Sequence, residues 1–315
     1  MVNHFEPAFL NLLSSGELAE RVRLAHERLK ACDICPRRCG VDRIENPQRA
    51  TCHTGELALV ASYGAHFGEE DPLRGYYGSG TIFFSWCNLK CVFCQNYDIS
   101  QQGYGRPASP EQLASMMLQL QEEGCHNINL VSPSHVVPQI LAALLIAAKA
   151  GLRVPLVYNS GGYDALETLA LLDGVVDIYM PDIKYGDPAL GRRLSGIPNY
   201  PAVNQQAVKE MHRQVGNLAL DERGVALRGL LVRHLVLPDG LAGTAAIVQF
   251  LAQEVSPRTY LNVMDQYRPC HQANLYPELA RRITTKEYHQ ALDLAQQAGL
   301  TRLDRRQPRM FRKNP

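Results

Sequence analysis

Apolar and polar positions follow two periods along this chain, one typical of buried strands and one typical of amphipathic helices. Short apolar runs bounded by turn residues predict six β-strands, at residues 81–86, 127–132, 154–159, 176–181, 229–237 and 259–264. Apolar residues at helical spacing predict the helices between and after them, at residues 109–124, 136–150, 163–172, 203–215, 244–255 and 285–298. Strands that alternate with helices favour a parallel sheet, so the predicted fold class is α/β. Eight such units close a full barrel, and six predict an open or partial (β/α)6 barrel.

The remaining segments predict additions to this core. Residues 8–30 have helical periodicity and many charges, and residues 31–56 are rich in cysteine, proline and arginine. Residues 63–80 show little periodicity and predict a loop, whereas residues 218–228 predict an added β-hairpin. The predicted organisation is an N-terminal helical, cysteine-rich extension at 1–76, a core domain at 77–300 and a basic tail at 301–315.

Composition narrows the class of protein. Hydrophobic residues make up 46% of the 315 residues, enough to bury a sizeable core. The formal net charge of +1 argues against a nucleic-acid partner held mainly through its phosphates. No export signal or membrane-length apolar run is evident, since the longest such run covers only residues 140–148. We therefore expect a cytoplasmic protein, whose nine cysteines serve metal or redox chemistry in a reducing compartment.

Three cysteines directly after the first predicted strand are the most informative feature of the sequence. Cys87, Cys91 and Cys94 are spaced C-x3-C-x2-C. Three thiolates can hold three corners of a 4Fe–4S cube and leave one iron open for chemistry. The alternative is a structural zinc, but zinc needs a fourth ligand and the residues that follow Cys94 offer none.

A second set of cysteines lies upstream, in the predicted extension. Cys32, Cys35, Cys39 and Cys52 suit a tetrahedral zinc or a fully ligated 4Fe–4S cluster equally well. This second metal site would act either as a structural staple or as an auxiliary electron relay.

Polar residues at the ends of the later strands are candidates for ligand binding, because ligands of parallel α/β folds sit at the carboxyl ends of strands. Asn159 and Ser160 follow the third strand, and Asp182 and Lys184 follow the fourth on one face of the chain. Arg233 lies in the fifth strand. The alternatives are a structural salt bridge for Asp182 and Lys184 and a surface position for Arg233.

The run after the sixth strand concentrates polar and redox-capable side chains. We assign four of its residues to substrate contact: Asp265, Tyr267, Cys270 and His271.

The cysteine spacing, with an aromatic residue just before the last cysteine, resembles the signature of the radical S-adenosylmethionine (SAM) superfamily. The segments Cys94-Gln95-Asn96 and Asp182-Ile183-Lys184 are similar to the corresponding pieces of pyruvate formate-lyase activating enzyme. The segments 32–42 and 262–271 resemble an uncharacterised branch of such proteins, the PflX-type branch.

This resemblance implies two cofactors, a 4Fe–4S cluster on the three cysteines and SAM. It implies a partial radical SAM barrel and an aromatic residue near the adenine, here Phe93. The superfamily often has two glycines and a glutamate after the second strand, where this chain instead has Ser134 and His135 as candidates for cofactor contact. His135 could equally cap the following helix.

The reaction that the resemblance implies is reductive cleavage of SAM to a 5′-deoxyadenosyl radical, which abstracts a hydrogen atom. Two enzyme hypotheses follow: activation of a glycyl-radical protein, or reaction at another peptide side chain or a small molecule. A non-catalytic iron–sulfur electron carrier is the third hypothesis. The expected partners are an electron donor such as flavodoxin or ferredoxin and, for the first hypothesis, a glycyl-radical protein or peptide.

Overall fold

The structure is a computed structural model, and it describes residues 5–304. Its strands are β1 (Ala58–His66), β2 (Ser79–Phe84), β3 (Arg106–Ala108), β4 (Ile128–Val131), β5 (Leu156–Ser160), β6 (Ile178–Pro181), β7 (Ala219–Leu220), β8 (Ala226–Leu235), β9 (Tyr260–Met264) and β10 (Arg302–Leu303). Its α-helices are α1 (Phe9–Ser15), α2 (Glu17–Glu27), α3 (Asp71–Arg74), α4 (Tyr97–Gln102), α5 (Pro110–Glu122), α6 (Val137–Lys149), α7 (Leu166–Leu172), α8 (Pro188–Ser195), α9 (Tyr200–Val215), α10 (Thr244–Phe250) and α11 (Thr285–Gln297).

The strands form a mostly parallel sheet in the order β10-β9-β8-β6-β5-β4-β2-β1-β3. The six predicted strands are β2, β4, β5, β6, β8 and β9, and each pairs in parallel with the next along the chain. The predicted α/β class is therefore confirmed. Because consecutive parallel strands are neighbours, the loops after them come together at one edge of the sheet.

Side chains alternate between the two faces of this sheet. The face toward the helices carries the main core, where Leu130, Tyr158 and Val232 pack against residues such as Leu141 of α6. The opposite face has a smaller apolar cluster of Leu73, Val157, Ile178, Met180, Leu218, Ala226 and Leu231. Leu73 belongs to α3, so this short helix covers the opposite face, called the inner face below, near the starts of the strands.

Two sequence predictions need correction. Residues 63–80 are not one loop, because β1 extends to His66 and pairs antiparallel with β2. Its alternation is interrupted by an irregularity in register between Val60 and Ser62, which hides the period of two. The helical segment 8–30 is two helices, since Gly16 adopts φ +80° and ends α1 before α2 begins.

Several local predictions are confirmed. The helix predicted from residue 109 begins with a capping box between Ser109 and Gln112. The hairpin predicted at 218–228 is β7 paired with β8, whose far end is the fifth parallel strand. Within residues 5–304, no helix is long and apolar enough to cross a membrane. The predicted basic tail falls almost entirely outside the described residues.

Candidate functional site

The three cysteines lie in the loop between β2 and α4. All three line one cavity, together with residues that follow β4, β5 and β6. Trp86, just before Cys87, has φ +66°, an uncommon value for a residue other than glycine, so the chain turns sharply as it leaves β2. The structure therefore brings the triad to the edge of the sheet where the other strands also end.

The thiols of the triad have environments suited to metal binding. Burial raises the pKa of Cys87 to about 12, so this thiol keeps its proton at neutral pH unless a cation binds it. Three hydrogen-bonding groups approach the sulfurs: the Leu89 amide to Cys87 at 3.4 Å, the Ser195 hydroxyl to Cys91 at 3.0 Å and the Ser100 hydroxyl to Cys94 at 3.1 Å. Hydrogen bonds to sulfur stabilise thiolates and tune the potential of iron–sulfur clusters.

Charged residues form the opposite wall of the cavity. The Lys184 ammonium donates to Asp182 Oδ2 at 2.6 Å, and Arg233 Nε donates to Asp182 Oδ1 at 2.9 Å. Arg233 Nη2 also donates to Asn159 Oδ1 at 2.7 Å. These four residues and Ser160 all line the cavity, so five candidates from three separate segments meet at one place.

The charge balance of this wall fixes the ionisation of Asp182. Burial favours its neutral form, but the charges of Arg233 and Lys184 outweigh that effect and hold the pKa of Asp182 below its usual value. Glu69 Oε2 also lies 3.8 Å from Arg233 Nη1, so two carboxylates and two cations form this charged cluster beside the three cysteines.

Helix α9 supplies residues that sequence reasoning missed. The Tyr200 hydroxyl donates toward the carbonyls of Gly161 and Asp182, at 2.8 and 3.0 Å, and accepts from the Lys184 amide at 3.1 Å. Asn204 donates to the carbonyls of Gly162 and Asp182. Both side chains therefore clamp the loops after β5 and β6 together. No local signal identifies them, because each lies on the apolar face of an ordinary amphipathic helix.

Gly162, in the loop after β5, tolerates no side chain. Its φ is +73°, and an added Cβ would collide with the Asp182 carbonyl oxygen and the Asn204 amide. Glycine is required here for close backbone approach.

Ser134 and His135 do not line the cavity, and their side chains make contacts elsewhere. His135 is buried, and its Nε2 lies 3.0 Å from the Ser85 carbonyl oxygen. Burial lowers the pKa of His135 to about 3, so the ring is neutral. Ser134 is buried as well, close to Asp164 of the loop after β5. The structure thus places both residues under the site, and their contact with a cofactor stays a prediction.

The Phe93 side chain does not line the cavity and packs against other aromatic side chains. Its ring meets those of Tyr185 and Tyr267 edge to face, at centroid distances of 6.3 and 6.0 Å. Tyr267 is buried, and its hydroxyl donates to the Leu279 carbonyl at 2.8 Å. The role of Phe93 near an adenine stays a prediction.

The run predicted to contact substrate packs directly on the cysteine loop. The Gln272 amide donates to the Val92 carbonyl at 2.8 Å, and the His271 ring stacks on Tyr97 at 4.9 Å. Cys270 is partly exposed in the same loop, whereas Asp265 lines a separate cavity between β9 and α11. The structure therefore brings most of this run beside the cysteines, and its contact with substrate remains a prediction.

The upstream cysteines are near one another as well. Burial, together with the neighbouring thiols of Cys52, Cys32 and Cys39, raises the pKa of Cys35 to about 12. Within residues 5–304, no three His, Cys, Asp or Glu side chains surround one point closely enough to hold a single metal ion.

Comparisons with known proteins agree with this site. A sequence model described as "Radical SAM superfamily" matches residues 81–219, the stretch that contains the triad, Asn159, Asp182 and Lys184. An uncharacterized protein of Methanocaldococcus jannaschii is 34% identical over 306 residues, which are 95% of this chain and 84% of that protein.

Two solved structures also match. A radical SAM methyltransferase from Sphaerobacter thermophilus has 13% identity and a TM-score of 0.48 over 71% of this chain and 64% of its own. SuiB of Streptococcus suis, bound to precursor peptide SuiA, has 13% identity and a TM-score of 0.46 over 67% and 44%. This chain thus spans less than two thirds of each structure.

The chain belongs to the radical SAM superfamily. Membership implies a 4Fe–4S cluster and SAM as cofactors. Three thiols that line one cavity with Lys184 and Arg233 fit this pair, because the thiolates can hold the cube while the two cations can receive an anionic carboxylate.

Proposed function

We propose that this protein binds a 4Fe–4S cluster through Cys87, Cys91 and Cys94 and uses SAM to abstract a hydrogen atom from a polypeptide, with a backbone glycine of a partner protein as the first candidate. The observation that carries the proposal is the single cavity in which the triad faces Asp182, Lys184 and Arg233. When bound, the cluster and SAM supply one-electron cleavage of the sulfonium and a 5′-deoxyadenosyl radical.

Each part of the cavity has a distinct task in this proposal. The Lys184 ammonium and the Arg233 guanidinium offer charge-assisted hydrogen bonds to the carboxylate of SAM, and the amide of Asn159 and the hydroxyl of Ser160 offer hydrogen bonds to its polar groups. Burial keeps water away from a reactive radical. The pair Asp182 and Lys184, with Cys94-Gln95-Asn96, supports the activating-enzyme branch of the superfamily.

The inner face of the sheet supports a partial barrel. Leu73, Val157, Ile178 and Leu231 belong to separate elements yet pack into one cluster. In addition, Asn262 of β9 donates to Glu70, just before α3, at 2.7 Å. A sheet that curves around this cluster brings these groups together.

The surface beside the cavity supports a polypeptide substrate. Tyr97 and His271 stack there, and Leu275 is 76% exposed on the same loop. Exposed apolar groups on a loop are typical of surfaces that bind other proteins. The electron donor in this proposal is a cytoplasmic flavodoxin or ferredoxin.

Cofactor cleavage tests the first part of the proposal. Anaerobically reconstituted protein with dithionite and SAM should form 5′-deoxyadenosine, measured by chromatography. Cys87→Ala should reduce the rate at least about 100-fold, because the cube loses one of its three protein ligands. Cys125→Ala is the matched control, since Cys125 is a buried core residue outside both cysteine sets. Unchanged cleavage in Cys87→Ala would refute the assignment, and no cleavage in the parent would favour an electron carrier.

Isotope transfer tests the second part. A candidate glycyl-radical protein is labelled with α-deuterated glycine and incubated with the reconstituted enzyme and SAM. Deuterium in 5′-deoxyadenosine, with a glycyl-radical signal in electron paramagnetic resonance (EPR), is the expected result. Deuterium that arrives only from another labelled residue would identify a different peptide side chain as the target.

A further inference from the structure

Arg43 is a fully buried cation without an anionic partner among the described residues. Its exposed fraction is 0%. Nε donates to the Thr54 carbonyl at 2.6 Å and Nη1 to the His135 carbonyl at 2.9 Å. Nη2 has no hydrogen-bond partner, and none of the ion pairs in residues 5–304 includes Arg43. A buried guanidinium costs several kcal/mol, on the order of the penalty for any unpaired ion, unless a negative charge compensates it.

The cysteine set of the N-terminal region supplies the anion. Arg43 Nη1 lies 3.6 Å from Cys32 Sγ, so its charge is directed at this thiol. Cys32, Cys35 and Cys52 are each less than a tenth exposed, and the Thr51 hydroxyl lies 3.6 Å from Cys39 Sγ. Four thiolates on a metal centre carry net negative charge. This charge would compensate Arg43 and provide a hydrogen-bond acceptor for its Nη2.

This cysteine set lies next to the triad of Cys87, Cys91 and Cys94. His53, the residue after Cys52, packs its ring on Trp86, the residue before Cys87, at a centroid distance of 4.7 Å. Arg37, between Cys35 and Cys39, donates from Nε to the carbonyl of Asn88, the residue after Cys87, at 2.9 Å.

These two contacts join residues that lie within two positions of a cysteine in each set. The Lys90 ammonium lies 5.4 Å from the ring centroid of Trp86.

We infer that Cys32, Cys35, Cys39 and Cys52 hold a second, fully ligated 4Fe–4S cluster whose buried countercharge is Arg43, and that this cluster delivers electrons to the first. A low-potential carrier of the flavodoxin or ferredoxin class reduces the second cluster by one electron. That electron then moves to the first cluster, so the second is reoxidised as the first is reduced. The relay rests on the proposed function, whereas the second cluster itself does not.

Zinc is the competing occupant of the second cysteine set. A structural zinc would need no contact with the triad, whereas this set touches the triad loop through two separate contacts.

Metal analysis of the full-length protein tests the second cluster. Anaerobic reconstitution should give about eight irons and eight sulfides per chain, four for each cube, and no stoichiometric zinc. Replacing Cys32, Cys35, Cys39 and Cys52 with alanine should halve the iron count, as should replacing the triad. Cys125→Ala should keep all eight. About four irons in the parent, with or without zinc, would overturn the inference.

EPR of the reduced parent keeps the inference testable if the multiple-cysteine variants do not fold. We expect two cluster signals, of which only one changes when SAM is added, because only the triad cluster has an open iron. Arg43→Met should shift the midpoint potential of the SAM-insensitive signal to more negative values, since a buried cation stabilises the reduced cluster.

Arg38→Gln is the control, because Arg38 is exposed beside the same cysteines and should leave that potential nearly unchanged. An unshifted potential in Arg43→Met, or the absence of a SAM-insensitive signal, would overturn the inference. Loss of the SAM response alone would refute the proposed function and leave the second cluster standing.

Discussion

At the scale of single residues, Asp182 decides whether two cations can lie beside the cavity. Its two carboxylate oxygens accept separately from Lys184 and Arg233, and its side chain is 15% exposed. Removing one partner of a buried ion pair costs more than the pair itself contributes, because the remaining charge stays uncompensated. Asp182 therefore holds these two cations in the folded state.

Asp182→Asn should lower the free energy of unfolding at pH 7 by about 3–5 kcal/mol and weaken SAM binding at least tenfold. Urea denaturation and equilibrium dialysis measure the two effects. Asp173→Asn is the matched control, since its ion pair with Arg213 lies at the surface and contributes about 1 kcal/mol or less. Equal losses in the two variants would contradict this account.

The pH dependence has a defined sign. The pKa of Asp182 is lower in the folded protein than its usual value of about 3.9, so the stabilisation is present above that pH. It is lost as pH falls through the lower, folded pKa. The stability gap between the parent and Asp182→Asn should therefore narrow below about pH 4.

At the scale of elements, α9 keeps the loops after β5 and β6 in one arrangement. The single hydroxyl of Tyr200 serves two carbonyls and one amide of those loops. Tyr200 is fully buried, so water cannot replace these hydrogen bonds if the hydroxyl is removed. The geometry of Asp182 and Lys184 thus depends on a helix that does not line the cavity.

Tyr200→Phe should cost about 1–3 kcal/mol of stability and raise the Kd for SAM severalfold. Calorimetry and binding measurements on the same preparation check both. Tyr63→Phe removes a hydroxyl that bonds Gln119 at a half-exposed position, and it should cost about 0.5 kcal/mol or less. If Tyr200→Phe behaved like Tyr63→Phe, the clamp would not matter to the site.

At the scale of the whole molecule, Glu70 links distant parts of the sheet. It precedes α3 and accepts from Asn262 of β9, while its second oxygen has no hydrogen-bond partner. Burial, its largest influence, raises the pKa of Glu70 above its usual value. The folded protein therefore holds this proton at a pH where the unfolded chain has released it.

Because the folded state binds more protons, the contribution of Glu70 to stability falls as pH rises above about 4.3, the usual pKa of glutamate. Glu70→Gln keeps the acceptor oxygen without this penalty. Urea titrations at several pH values should show that, from pH 4.5 upward, the free energy of unfolding of Glu70→Gln rises relative to that of the parent. Parallel pH profiles would show that Glu70 ionises normally.

Much of the architecture could be predicted from local signals. Each of the six parallel strands has a short apolar run, and Ser109 with Gln112 marks the start of α5. The prediction failed at residues 63–80, where β1 continues to His66 beyond its irregular register between Val60 and Ser62. A regular strand or helix shows its period in the order of apolar and polar residues along the chain. A strand with an irregular register does not show a period of two, so it is recognised only from its pairing with a neighbouring strand.

The sequence by itself predicted an iron–sulfur site at the triad, because the spacing of Cys87, Cys91 and Cys94 is set by a few consecutive residues. It also determined that Asp182 and Lys184 point the same way. Only the tertiary structure decided that Arg43 is buried against Cys32, that Tyr200 clamps the cavity loops and that His53 meets Trp86. Those contacts join residues far apart in the chain, and long-range packing leaves no local pattern from which they could be read.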